Sequence, residues 1–151
     1  MAPPRTNVRL ATPRDVTAVL AVDDEVSAGD ARRIAFIRRA VPLGQCVVCT
    51  RGRRIVGYAV VDYEFYGHGF VWLLYVHRDH RRTGVATRLM RQVESACETE
   101  KLFTSTNVSN IATQSLLVKL GYRWSGVIDN LDPGDPELVY FKRLAHAPAG
   151  G

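Results

Sequence analysis

The run Arg81-Arg82-Thr83-Gly84-Val85-Ala86-Thr87 carries the residue types needed to hold an anion. Two guanidiniums stand beside two small residues at alternate positions, Gly84 and Ala86. Directly after them, Thr87-Arg88-Leu89-Met90-Arg91-Gln92-Val93 places apolar side chains at Leu89, Met90 and Val93, a spacing that suits a helix. The first N–H groups of a helix lack intrahelical partners, and its dipole favours negative charge there. Gly84 and Ala86 let a phosphate approach the backbone, while Arg81 and Arg82 add charge beside it. Upstream, Phe70-Val71-Trp72-Leu73-Leu74-Tyr75-Val76 reads as a buried strand, and Arg78-Asp79-His80 as a polar turn. Strand, tight turn and helix start together make a phosphate cradle.

A second segment, Asn110-Ile111-Ala112-Thr113-Gln114-Ser115-Leu116-Leu117-Val118-Lys119-Leu120-Gly121-Tyr122, reads as a capped helix. Ser109 or Asn110 is a good N-cap, Ile111, Leu116, Leu117 and Leu120 form an apolar stripe, and Gly121 is a natural stop. The two segments resemble the GNAT N-acetyltransferase superfamily. Arg81 to Ala86 matches its acyl-CoA-binding motif, Gln/Arg-x-x-Gly-x-Gly/Ala, at every fixed position. Asn110, Leu116, Gly121 and Tyr122 match or nearly match its fourth helix. The resemblance implies acetyl-CoA as co-substrate. It assigns the backbone of Leu74, Tyr75 and Val76 to pantetheine, the amides from Arg82 through Thr83, Gly84, Val85 and Ala86 to Thr87 to the phosphates, and Asn110 to the pantetheine side.

The departures lie in the catalytic half. Leu117 stands where the family often has the Tyr that protonates the departing thiolate, and Leu has no proton to donate. Trp72, Leu73 and the run Leu102-Phe103-Thr104-Ser105-Thr106 hold no carboxylate where many members carry a basic Glu. Direct attack by an amine requires a base for the ammonium. Glu64 is the first candidate, His68 in the neighbouring hairpin the second for its near-neutral pKa, with Asp62 and Glu137 open. Tyr140, Tyr122 or water can serve as the acid. Asp129, Asp132, Asp135 and Glu137 form an acidic loop that either recruits a cationic amine or simply makes a soluble turn. The expected acceptor is therefore a small-molecule amine or a basic peptide.

The chain has 151 residues, a net charge of +5 and basic residues that are mostly arginine. Solvated faces explain most of Arg32, Arg33, Arg38, Arg39, Arg51, Arg53 and Arg54, and attraction to a polyanionic cofactor explains some. Three cysteines argue against a disulfide framework, and Cys46 and Cys49, three apart on a strand, read as buried thiols rather than a metal pair. No metal is expected. No run is apolar enough to span a membrane and no signal peptide is visible, so a cytoplasmic location is expected. Two other classes stay open. Leu117 and Ser105 favour a non-catalytic acyl-CoA-binding sensor. An arginine-rich nucleic-acid-binding domain ranks last, because no nucleic-acid module is visible.

The elements that must position these residues follow in order. A strand at Val8–Ala11 precedes helices over Asp15–Ala21 and Asp30–Ala40. Strands cover Gln45–Thr50, Ile55–Glu64 and Phe70–Val76, with Tyr66-Gly67-His68-Gly69 as the last hairpin. A helix spans Gly84–Glu100, a strand Leu102–Thr106, a helix Asn110–Leu120, and strands Tyr122–Ile128 and Leu138–Leu144 close the sheet. This is the α/β order of the GNAT fold, with about seven mostly antiparallel strands flanked by about four helices. Residues 8–144 form one domain in this reading, between a loose leader over 1–7 and a flexible tail over 145–151. Edge strands in the resembling fold often pair between chains, which admits a homodimer.

Overall fold

The computed structural model describes residues 2–145, so most of the expected tail lies outside the described residues. Strands are β1 (Thr6–Leu10), β2 (Cys46–Arg51), β3 (Arg54–Phe65), β4 (His68–Val76), β5 (Lys101–Asn107), β6 (Arg123–Ile128) and β7 (Glu137–Arg143). Helices are α1 (Val16–Val22), α2 (Asp24–Ser27), α3 (Ala31–Ala40), α4 (Val85–Ala96) and α5 (Ile111–Lys119). The strand order is β1-β2-β3-β4-β5-β7-β6. The β4–β5 pair is parallel, joining Gly69–Val71 to Leu102–Thr104. The β1–β2, β2–β3, β5–β7 and β6–β7 pairs are antiparallel. The expected α/β fold with seven mostly antiparallel strands is therefore present, with five α-helices where about four were expected.

Several elements differ from the sequence reading; α4, for example, ends at Ala96 rather than Glu100, and three further differences have local reasons. β1 starts at Thr6, two residues inside the expected leader, because Thr6 and Asn7 pair with Arg51 and Thr50. The β3–β4 turn is only Tyr66-Gly67, both at positive φ (52° and 76°), the condition for a type I′ connection. His68 is thus the first residue of β4 rather than part of the turn. α2 is the unforeseen helix, four residues long with no apolar period, started by Asp23, whose carboxylate accepts from the Glu25 N–H at 2.9 Å.

The chain divides into two compact units. One runs to Val61 and takes in Leu73–Ala96; the other comprises Asp62–Trp72 and the chain from Cys97 onward. In the first, Val19, Val22, Ile37, Val41, Val48 and Val60 build the core around α1, α3, β2 and β3. Cys46 and Cys49 are buried and unpaired, and burial pushes the Cys46 thiol up to about 12, leaving it inert. Gly57 sets how tightly α4 sits on the sheet. A Cβ there would lie 2.9 Å from both the Tyr75 carbonyl oxygen and Val85 Cγ1, so a larger residue would push the start of α4 outward. In the second unit, Leu102, Thr104 and Thr106 alternate inward along β5, while Phe103 stacks with Phe141 at 5.8 Å and meets Phe65 at a tilt at 5.3 Å.

Candidate active site

The cradle is built by β4, a single 3-10 turn at Arg78–His80 and the start of α4. Its backbone turns into the left-handed region at Arg82 (φ 60°) and again at Gly84 (φ 84°). Such reversals direct successive N–H groups to one side and create an anion-binding concavity. At Arg82 the conformation costs about 1–2 kcal/mol for an L-residue, so packing elsewhere must hold it. Arg51 does so: its guanidinium donates to the Thr83 carbonyl at 3.1 Å and meets His80 Nδ1 at 3.2 Å. The Thr83 hydroxyl donates to the His80 carbonyl and closes the turn. Because Arg51 can only donate, His80 Nδ1 is an acceptor and the ring is neutral. Burial, followed by the charge of Arg51, lowers the His80 pKa. Arg51 is therefore a partly buried brace of the loop and not a solvated turn residue.

Arg81 and Arg82 are exposed, and a Cβ at Gly84 would meet nothing within 4 Å, so the ground before the loop is free for a ligand. α4 follows with three turns of aligned peptide dipoles aimed at that ground. Arg81 Nε donates to the Val76 carbonyl at 3.1 Å, which fixes the side chain along the end of β4. His77 N–H donates back to Val56 of β3 at 2.8 Å. By strand alternation the peptide groups of Leu74 and Val76 turn away from β3, while Tyr75 offers its side chain.

That side chain belongs to a group of polar residues not foreseen in the sequence. The Asp23 carboxylate is fully buried and accepts from Arg33 Nε at 2.7 Å and from the Tyr58 hydroxyl. Burial pushes the Tyr58 hydroxyl up, so it stays protonated and donates. The Tyr75 ring lies beside Tyr58, with centroids 6.2 Å apart, and within 5.6 Å of the guanidiniums of both Arg33 and Arg81. Arg33 is thus a half-buried partner of a carboxylate, correcting its assignment to a solvated helix face.

The remaining sequence candidates lie in the second unit. Glu64 is exposed near the end of β3, and its N–H donates to Asp62 at 3.1 Å. Asp62 also accepts from Trp72 Nε1 at 2.6 Å, so its carboxylate is already engaged. His68 is half-buried with its ring 5.5 Å from Phe103. Tyr140 is buried on β7 opposite Thr104 and Trp124. Leu117 is a core residue of α5, and Tyr122 is buried beneath the Lys142 ammonium. Asn110 caps α5, its side-chain oxygen accepting from Thr113 N–H at 3.1 Å, which leaves its amide NH₂ outside the cap. Asp132 accepts from Asn107 Nδ2 at 2.9 Å and Asp135 from the Ser109 N–H at 3.0 Å, fastening the acidic loop to the turn before α5. Asp129 is exposed, and Glu137 starts β7 rather than belonging to the loop. Among the described residues no cluster of three or more His, Cys, Asp or Glu has the proximity to hold a metal ion.

The family model described as "Acetyltransferase (GNAT) family" matches residues 15–122. The chain belongs to the GNAT family. Its members are acetyl-CoA-dependent acyltransferases. An acetyltransferase of the GNAT family from Bacillus cereus ATCC 10987 is 31% identical, with a TM-score of 0.88, covering 94% of this chain and 99% of that one. Ard1 from Thermoplasma volcanium shares the fold at 19% identity and a TM-score of 0.80, covering 93% of this chain and 99% of its own. Diaminobutyrate acetyltransferase EctA from Paenibacillus lautus, determined with L-2,4-diaminobutyric acid and coenzyme A, shares it at 17% identity and a TM-score of 0.76, covering 97% and 99%. No curated protein matches the chain significantly. No helix among the described residues is long and apolar enough to cross a membrane.

Proposed function

We propose that residues 8–144 act as one N-acetyltransferase domain that moves an acetyl group from acetyl-CoA to a primary amine, either a small molecule or a basic peptide. The observation that carries this reading is the 81–87 loop: two left-handed residues, two exposed guanidiniums and a three-turn helix start, directly after β4 of a GNAT-family chain. Those features fit a pyrophosphate. Arg81, Arg82 and the amides from Arg82 to Thr87 hold the phosphates, and the peptide groups of Leu74 and Val76 hold the pantetheine arm.

Acetyl-CoA supplies the acetyl group as an activated thioester. The protein supplies position and proton handling. Glu64, exposed and able to exchange protons with water, takes the proton of the bound ammonium, with His68 as the alternative group. Tyr140 returns a proton, replacing the hydroxyl lost at Leu117. Asp129, Asp132 and Glu137 draw in the cationic acceptor; EctA, bound to a diamino acid, is a precedent for such a substrate in this fold. Free, buried thiols at Cys46, Cys49 and Cys97 suit the reducing cytoplasm, where we place the enzyme. A homodimer through β6 belongs to the same reading, because that outer strand exposes Trp124 at 61% and Val127 at 47%.

Leu117 favours a second reading, a sensor that binds acyl-CoA without turnover. Calorimetric titration with CoA, paired with thiol release on the same sample, separates the two. An enzyme binds and releases thiol only when an amine is present. Saturable binding with no release from any amine would establish the sensor, and no binding would remove both readings.

A further inference from the structure

One phenolic oxygen joins the phosphate loop to the segment between α1 and α3. The Tyr75 oxygen accepts from an Arg81 guanidinium N–H at 3.4 Å and from the Asp24 backbone N–H at 3.2 Å. Asp24 is the first residue of α2, so its N–H has no partner within that helix and depends on Tyr75. The ring beneath the oxygen is held by the Arg33 and Arg81 guanidiniums, each 5.6 Å from its centroid. Arg33 is anchored in turn by buried Asp23, whose other oxygen holds the Glu25 N–H. The column is therefore fixed on its Arg33 side by a buried ion pair and adjustable on its Arg81 side, where the residue is exposed and the contact is long.

We propose that Tyr75 is a positioning residue that couples phosphate occupancy of the 81–87 loop to the order of the Asp23–Ser27 segment. This rests on the acetyl-CoA reading above. A guanidinium has five N–H donors, and Arg81 spends one on Val76 and one, weakly, on Tyr75. When a phosphate draws the exposed guanidinium toward itself, this long contact is the one that breaks, and the Tyr75 oxygen is left to Asp24 alone. The shared acceptor becomes a dedicated one, and the start of α2 tightens. Charge-assisted contacts to phosphate outweigh a 3.4 Å contact to a neutral phenol, which sets the direction of the exchange.

Amide hydrogen exchange with and without CoA, in the wild type and in Tyr75→Phe, tests this. The variant keeps the stacked ring and loses only the oxygen. In the wild type, saturating CoA slows exchange across Asp23–Ser27. In free Tyr75→Phe, the Asp24 amide exchanges about fivefold faster, the factor for losing one ordinary hydrogen bond. With the variant brought to CoA saturation, as calorimetry verifies, the CoA-dependent slowing at Asp23–Ser27 disappears. A wild type that binds CoA without change at these amides overturns the coupling, as does a variant that keeps the full response. Equal acceleration in β2 as well would mark Tyr75 as a general packing residue and overturn it too. A wild type that does not bind CoA overturns the acetyl-CoA reading itself, and this coupling with it.

Discussion

Substitution at Gly84 separates what the loop needs for folding from what it needs for a ligand. Gly84 has φ 84°, so any L-residue there is strained, at a cost of about 1–2 kcal/mol. A built Cβ meets nothing within 4 Å, so no steric term inside the protein adds to that cost. For a chain of this size, each kcal/mol lowers Tm by about 2–4 °C, so Gly84→Ala should melt about 2–8 °C below the wild type and remain folded. In the binding mode proposed above, the phosphate approaches over the open ground that the new methyl occupies. Losing one or two charge-assisted bonds of about 1.5–3 kcal/mol each weakens CoA binding by at least about tenfold. Gly84→Glu adds like charge and should abolish binding. Arg82→Gly supplies the opposite sign on stability: relief of its φ of 60° should raise Tm while loss of the guanidinium weakens CoA. Circular dichroism melts and calorimetric CoA titrations on the three variants read both quantities. A folded Gly84→Glu protein with wild-type CoA affinity would refute the assignment of this loop.

Asp23→Ala should cost about 3–5 kcal/mol in urea unfolding, because it strands the partly buried Arg33 guanidinium and the Tyr58 hydroxyl; a loss below about 1 kcal/mol would show that the buried pair contributes little. His80 has a folded pKa below its unfolded value, so its contribution to stability is present above about pH 6.5 and is lost as pH falls below it. Urea midpoints should therefore drop more steeply on acidification for the wild type than for His80→Gln, and equal slopes would remove the Arg51–His80 contact from the explanation. Glu64→Gln should lower kcat with CoA affinity unchanged, and full turnover across the pH range would leave water or His68 as the base.

The parts legible in the sequence were local. The β4 strand, the small-residue turn and the α4 start lie within a single run of about twenty residues, and α5 announces itself through the Asn110 cap and the Gly121 stop. Asp23, Arg33, Tyr58, Tyr75 and Arg81 were not legible as a group, because Arg33 sits 10 and Tyr58 35 residues from Asp23. Arg33 reads as one more solvated arginine until the fold brings Asp23 beneath it. Arg51 was hidden similarly: a hairpin position says nothing of the 32-residue span to the Thr83 carbonyl it braces. The His68 difference has a narrower cause. Two glycines around it suggest a four-residue loop, whereas Tyr66 itself adopts the positive φ that shortens the turn. Asp132 and Asp135 read as free charge, yet their carboxylates hold the turn before α5.

Mass spectrometry of reactions containing the protein, acetyl-CoA and a panel of polyamines, diamino acids, aminoglycosides and lysine-rich peptides tests acetyl transfer to an amine most directly. The prediction is one added acetyl group on an amine nitrogen, formed in equal amount with free CoA thiol and lost in Gly84→Glu. Tight CoA binding with every amine in the panel left unmodified would contradict it.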